Sequence, residues 1–200
     1  MGNLKTYNIP AHAYYITTKV AQGVQLFIDN TYCGIIINNF KFYKQTKQCK
    51  LLGYVIMPTH LNYIFWPVGT FSISEVLRDF KKQAAKGIIQ QLKDDKRSDR
   101  IQNPICGNCG SGITNPASRT WAQKGLSVFF RNSVKQEFQV WQAQNWMVNI
   151  CSEQLLHQKF DYIHNNPVRA GLVSNADDYK YSSARNYIQG DHSVIRIENF

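Results

Sequence analysis

Apolar and polar positions alternate along this chain with two different periods, and the switches between them outline the elements. His12 to Val20 gathers aromatic and β-branched residues into one short run, which predicts a first strand. After it, Tyr32, Ile36, Phe40 and Tyr43 recur every three or four positions, so a helix capped by Asp29 or Asn30 is expected to run to about Thr46 with that stripe buried. Lys50 to Met57 and Leu61 to Trp66 read as two further strands. Pro58 and Thr59 lie between them, either as the turn of an antiparallel hairpin or as a bulge in a continuous strand. Ser72 with Glu75 three residues on forms a capping box. Val76, Phe80, Ala84, Ile88 and Leu92 then step by four along one face of a helix expected to end near Leu92.

From Asp94 to Thr120 the periodicity lapses into Gly, Asn, Ser and Pro. This predicts a flexible insertion over 94–120 within a single domain spanning 1–200. Trp121 to Arg131 and Phe138 to Ile150 supply the remaining strand material. Ser152 reads as an N-cap with Glu153 in the first turn, and Leu156, Phe160 and Ile163 mark the inner side of a last main helix. Pro167 is expected to end it, because the residue before a proline avoids the α region.

Periodicity also places polar groups. In a strand from Leu61 to Trp66, side chains alternate, so His60, Asn62 and Ile64 share one face. An imidazole and an amide two positions apart on a rigid strand can ligate one metal ion. The same pair is also what the wet face of a half-buried strand looks like, and spacing alone favours that plainer reading. On the last helix Tyr162 and Asn166 are one turn apart on one face.

Charge narrows the partners. Lys and Arg total 23 against 13 Asp and Glu, a net charge of +10, with 13% aromatic residues. Such a surplus fits a polyanion, and rings that can stack on bases favour nucleic acid over an anionic membrane surface. Lys81, Lys82, Lys86 and Lys93 fall off the buried face of the second helix as a basic flank, for DNA contact or for solvation. No apolar run approaches the ~18 residues of a membrane span, so no membrane partner is expected. The five cysteines, Cys33, Cys49, Cys106, Cys109 and Cys151, show no disulfide framework, which points to a reducing, cytoplasmic location. Cys106 and Cys109 make half of a zinc site and no second half is evident.

Two stretches carry a family resemblance. Phe160-Asp-Tyr-Ile-His-Asn-Asn-Pro-Val-Arg-Ala-Gly-Leu-Val173 resembles the C-terminal signature of the REP-associated tyrosine transposases, single-tyrosine relatives of the HUH endonucleases. Met57-Pro-Thr-His-Leu-Asn62 resembles that family's Met-Pro-Asn-His-x-His metal motif, with Asn62 where a second His is usual. Phe80-Lys81, the segment Phe138 to Gln142 and the run Tyr179 to Ser183 resemble further family segments. The resemblance extends roughly from Tyr14 to Tyr187 and lapses over 94–120.

The resemblance implies an α+β, ferredoxin-like antiparallel sheet with packed helices, as in HUH-type transposase domains. It implies Tyr162 as nucleophile, attacking a phosphodiester of single-stranded or hairpin DNA to leave a 5′-phosphotyrosine and a free 3′-hydroxyl. It implies His60, Asn62 and Asn166 as metal ligands. A nitrogen with two amide oxygens suits Mg²⁺ or Mn²⁺ better than zinc. Arg169 could grip a phosphate bidentately or cap the carbonyls before it. Two rival expectations stand beside this: a catalytically weakened or domesticated module that holds DNA hairpins, and an RNA-binding α+β domain. Monomer and homodimer are both open.

Overall fold

The computed structural model describes residues 12–46, 49–68, 70–102, 130–133 and 136–198. Along these residues run β1 (Ala13–Lys19), α1 (Asn30–Gln45), β2 (Cys49–Met57), β3 (His60–Pro67), α2 (Ile73–Gln102), β4 (Phe130–Ser133), β5 (Gln136–Phe138), β6 (Trp146–Ile150), α3 (Glu153–Arg169) and α4 (Ala184–Ile188). Four of the strands form one sheet in the order β2-β3-β1-β6, antiparallel throughout, while β4 pairs with β5. Omitting the β4–β5 pair, the order βαββαβ with β1 between β3 and β6 is the ferredoxin-like arrangement. The fold is α+β, as the resemblance implied.

Pro58 and Thr59 form the turn of a β2–β3 hairpin, with Met57 paired to His60 across it. The turn is held in place because Phe27 N–H donates to Pro58 O and Val20 N–H donates to Thr59 O. The starts of α1, α2 and α3 are capped as the sequence predicts. Asp29 accepts from Thr31 N–H, Ser72 and Glu75 close their box, and Ser152 accepts from Leu155 N–H.

Alternation divides the sheet. Tyr14 and Ile16 of β1 and Leu61, Tyr63 and Phe65 of β3 face α1 and α2. Their core is aromatic: Phe80 stacks on Phe40 at 5.2 Å and meets Tyr63 and Phe65 at 5.5 and 5.7 Å. Ala13, Tyr15, Val55 and Ile64 face the other way, against Leu156, Phe160 and Ile163 of α3. α3 lies close because of Gly53. A Cβ there would sit 2.7 Å from Phe160 Cε1, inside contact distance. The register shift between Leu51 and Gly53 turns the strand at the same point.

The outer edge of β2 is covered by later chain. Ile56 N–H donates to Tyr181 O, Ser183 N–H to Tyr54 O and Glu198 N–H to Leu51 O. Strand edges left bare invite pairing with other chains, and this one is sealed.

Two boundaries differ from expectation. α2 does not stop near Leu92 but runs to Gln102, carried on by Gln90–Asp94 and Gln91–Asp95 side-chain pairs one turn apart and by Tyr32, whose hydroxyl donates to Asp95 at 2.5 Å. The expected insertion therefore begins inside a helix. Residues 103–129, with Cys106, Cys109 and most of the strand material expected from Trp121, lie outside the described residues. Pro167 does not end α3 either. It sits buried in the last turn, and the helix stops at Gly171, whose φ is +68°. Gly171 N–H donates to Val168 O and Leu172 N–H to Pro167 O, the two bonds of a Schellman cap, which needs a left-handed residue rather than a proline.

Candidate active site

Register brings the strand residues of the site together. Lys19 pairs with His60 and Thr17 with Asn62, so Tyr15, Thr17 and Lys19 of β1 stand beside His60 and Asn62 of β3 on the face that α3 covers. Asn62 is 1% exposed. Its Oδ1 accepts from the Thr17 hydroxyl at 2.8 Å and from Tyr15 at 3.0 Å, whereas its Nδ2 is buried without a partner. Burial pushes the Tyr15 phenol up to about 12, so it stays protonated and donating.

His60 Nδ1 meets the Thr59 hydroxyl at 3.1 Å. Burial, and then the Lys19 ammonium beside it, hold its pKa below the ordinary histidine value. The imidazole is therefore neutral near pH 7, which is the form that ligates metal or accepts a proton.

α3 supplies the rest. Tyr162 is 42% exposed, and its ring stands edge-on to Tyr15 at 6.0 Å. The Arg169 guanidinium lies 4.6 Å over the Tyr162 ring and also donates to Tyr162 O at 2.9 Å. One turn beyond, Asn166 has a buried Nδ2 with no partner. Lys159 lies over the Tyr15 ring at 5.1 Å. An open groove of 540 Å³ runs along this side of the helix past Lys159, Tyr162, Asn165 and Arg169.

His164 does not join them. It faces the opposite side of α3, where it meets the Ser183 hydroxyl at 2.9 Å and the Phe160 and Tyr187 rings, and burial lowers its pKa to about 4. The lysines expected to touch DNA also part company. Lys81 is tied down, donating to Gln142 O and Asn145 Oδ1 at 3.0 Å, while Trp141 Nε1 donates to Lys81 O. Lys82 and Lys86 line the same groove as Lys81, with Gln139, Trp141 and Gln142, apart from the groove beside Tyr162. Tyr15 and Thr17 escaped the sequence reading. Alternation along β1 puts both on one face, but only the pairing register shows that this face belongs to Asn62.

Among the described residues no cluster of three His, Cys, Asp or Glu side chains could hold a metal ion. An amide-based site remains. With the Asn62 amide turned by 180°, Nδ2 donates to the Thr17 and Tyr15 oxygens and Oδ1 takes the position that now lacks a partner. Asn166 likewise has a buried amide nitrogen without a partner. Turned in this way, the Asn62 amide oxygen beside a neutral imidazole would fit a hard divalent cation.

By architecture the chain belongs to the ferredoxin-like α+β class, with a helix carrying an exposed tyrosine laid across an apolar patch of the sheet. Within that class it has the fold of a transposase. A REP-associated tyrosine transposase bound to a REP hairpin matches with a TM-score of 0.59 and 18% identity, over 100% of this chain and 93% of that one. A putative transposase from Deinococcus radiodurans R1 matches with a TM-score of 0.43 and 13% identity, over 82% and 95% of the two chains. At such identities the likeness is one of fold. No protein-family model and no curated protein matches the sequence. No helix among the described residues is long and apolar enough to cross a membrane.

Proposed function

We propose that this chain is a transposase-like nuclease and strand transferase acting on single-stranded or hairpin DNA, with Tyr162 as its nucleophile. The observation that carries the reading is the exposed Tyr162 phenol, held by Arg169 on a helix whose Asn166, like Asn62 on the sheet, has a buried amide nitrogen without a partner. The Met57 to Asn62 and Phe160 to Val173 resemblances and the shared fold point the same way.

In the reaction the Tyr162 oxygen attacks the phosphorus and loses its proton to water. The bond from phosphorus to the 3′-oxygen breaks, that oxygen takes up a proton, and the 5′-phosphate stays on the tyrosine. Because one phosphodiester replaces another, attack by a different 3′-hydroxyl reverses the step and joins strands. Arg169, fixed against the Tyr162 carbonyl, keeps ring and guanidinium together, and its remaining N–H groups can meet the phosphate. Bound through His60, Asn62 and Asn166, Mg²⁺ or Mn²⁺ would polarise a non-bridging phosphate oxygen. Lys82 and Lys86 would carry flanking phosphates in their groove.

The test is a denaturing gel of the protein incubated with labelled hairpin oligonucleotides. The wild-type protein should become covalently labelled and Tyr162→Phe should bind without labelling. Undiminished cleavage by Tyr162→Phe would overturn the assignment. One observation favours a second reading, a DNA-hairpin-binding protein of weakened activity: Asn62 Oδ1 is already engaged by two hydroxyls, which competes with ligation. Binding without cleavage at millimolar Mn²⁺ would select that reading.

A further inference from the structure

Trp146 opens β6 and is 60% exposed. It pairs with Thr17, and Thr17 pairs with Asn62, so the three residues form one row across β6, β1 and β3. Cross-strand partners share a face, which places the indole on the side of the sheet that carries Tyr15, Thr17 and His60. Further along β6 on that face, Ile150 and Val148 are packed against the apolar patch under α3. Trp146 lies beyond that cover. A lone exposed aromatic needs no explanation by itself. This one continues the row that holds the buried amide, with three cations on the same face or on the helix above it: Lys159 over the Tyr15 ring, Arg169 over the Tyr162 ring, and Lys19 in the next row beside His60.

We infer that Trp146 is the stacking platform for an unpaired nucleobase next to the phosphate presented to Tyr162. The chemistry selects a single strand. An indole needs a free base face, which a continuous duplex does not offer, and a row flanked by cations needs phosphates. Stacking tolerates any base, so Trp146 fixes the position of the strand and leaves sequence choice to other contacts. The placement next to the attacked phosphate rests on the function proposed above, whereas the stacking itself requires no cleavage.

The experiment measures binding of labelled single-stranded oligonucleotides to the full chain by fluorescence anisotropy, for wild type, Trp146→Ala and Trp146→Phe, with an abasic site walked along the strand. Trp146→Ala should weaken binding roughly 5- to 100-fold, and Trp146→Phe should keep most of the affinity. At one nucleotide the abasic site should weaken wild type but add no penalty to Trp146→Ala. Equal affinities for wild type and Trp146→Ala, or equal abasic penalties at every position, would overturn the inference. If Trp146→Ala unfolds, tryptophan emission decides. DNA should quench the wild-type signal more than that of Trp146→Phe, which keeps Trp141 in the lysine groove, and identical quenching of the two would refute the stacking. A protein that stacks through Trp146 and never forms the covalent adduct removes the nuclease reading alone. One that forms the adduct while Trp146→Ala binds normally removes the stacking alone.

Discussion

Phe80 and Asn62 are buried to 0% and 1% exposure on opposite faces of one sheet, and their surroundings differ in kind. Around Phe80 four aromatic rings meet within 6 Å, and the polar atoms nearby are matched, as where Thr18 meets the Tyr63 hydroxyl at 3.0 Å. Around Asn62 the amide nitrogen has no partner, and Asn166 above repeats the defect. Of the three buried side-chain atoms without partners among the described residues, these two belong to the candidate site and the third is Arg185 Nε. An unmatched buried donor costs about 1–3 kcal/mol. One face is close-packed with its polar atoms matched, and the other leaves a buried amide nitrogen unmatched.

The contrast can be broken most forcefully on the closed face. Phe80→Ala should destabilise the protein by about 3–5 kcal/mol in urea melts, through the cavity it opens between four rings. A loss under about 1 kcal/mol would show that the aromatic layer is not the main stabilising unit.

The next effect separates the two sides of α3. His164 has a folded pKa of about 4 and an ordinary unfolded value. Between those values the unfolded chain binds a proton that the folded chain does not, so stability falls as pH drops from about 6.5 to 4 and then levels off. The loss should reach roughly 3 kcal/mol, and His164→Gln should flatten it. His60, with its pKa lowered as well, adds to the slope in the same direction. A wild-type stability that is flat over this range would mean that His164 opens to solvent.

A smaller change sharpens the comparison at the site. Asn62→His should lower the half-saturating metal concentration for cleavage roughly 10- to 100-fold, and in the wild type Mn²⁺ should outperform Mg²⁺. Cleavage rates titrated against each ion check both statements, and unchanged metal dependence would remove Asn62 from the ligand set. The smallest effect concerns the separate groove. Lys82→Ala and Lys86→Ala should each reduce the slope of log affinity against log salt by about 0.7 for single strands. Lys81→Met should change that slope least of the three lysines and lower the melting temperature, because Lys81 is tied to Gln142 and Asn145.

Much of the frame was legible because local rules wrote it. The stripe Tyr32, Ile36, Phe40 and Tyr43 is the buried face of α1, and the capping residues Asp29, Ser72 and Ser152 cap as read. Alternation correctly put His60 and Asn62 on one face. What escaped depends on partners far along the chain. Tyr15 and Thr17 reach Asn62 only through strand register, and His164 turns away from the site because Ser183 and Tyr187 lie on the far side of the helix. Asp95 stays helical because Tyr32, sixty-three residues earlier, holds it. The end of α3 was misread locally: Pro167 is the louder signal, but a proline in a last turn forfeits little, and Gly171 provides the stop.

The strand order β2-β3-β1-β6 has a kinetic consequence. β2 and β3 close across two turn residues, β1 reaches β3 across α1 and β2, and β6 must return to β1 from the far side of residues 103–129. The entropic penalty of closure grows with the length of chain enclosed, so the β1–β6 pairing is the slowest to form. α3 follows β6 by two residues, and Tyr162 therefore meets Tyr15 only when that pairing closes. The strand half of the site, Tyr15, Thr17, His60 and Asn62, is complete earlier and waits. Pulsed hydrogen exchange during refolding should show β2 and β3 amides protected before those of β6, and the two halves should become one site in the final phase.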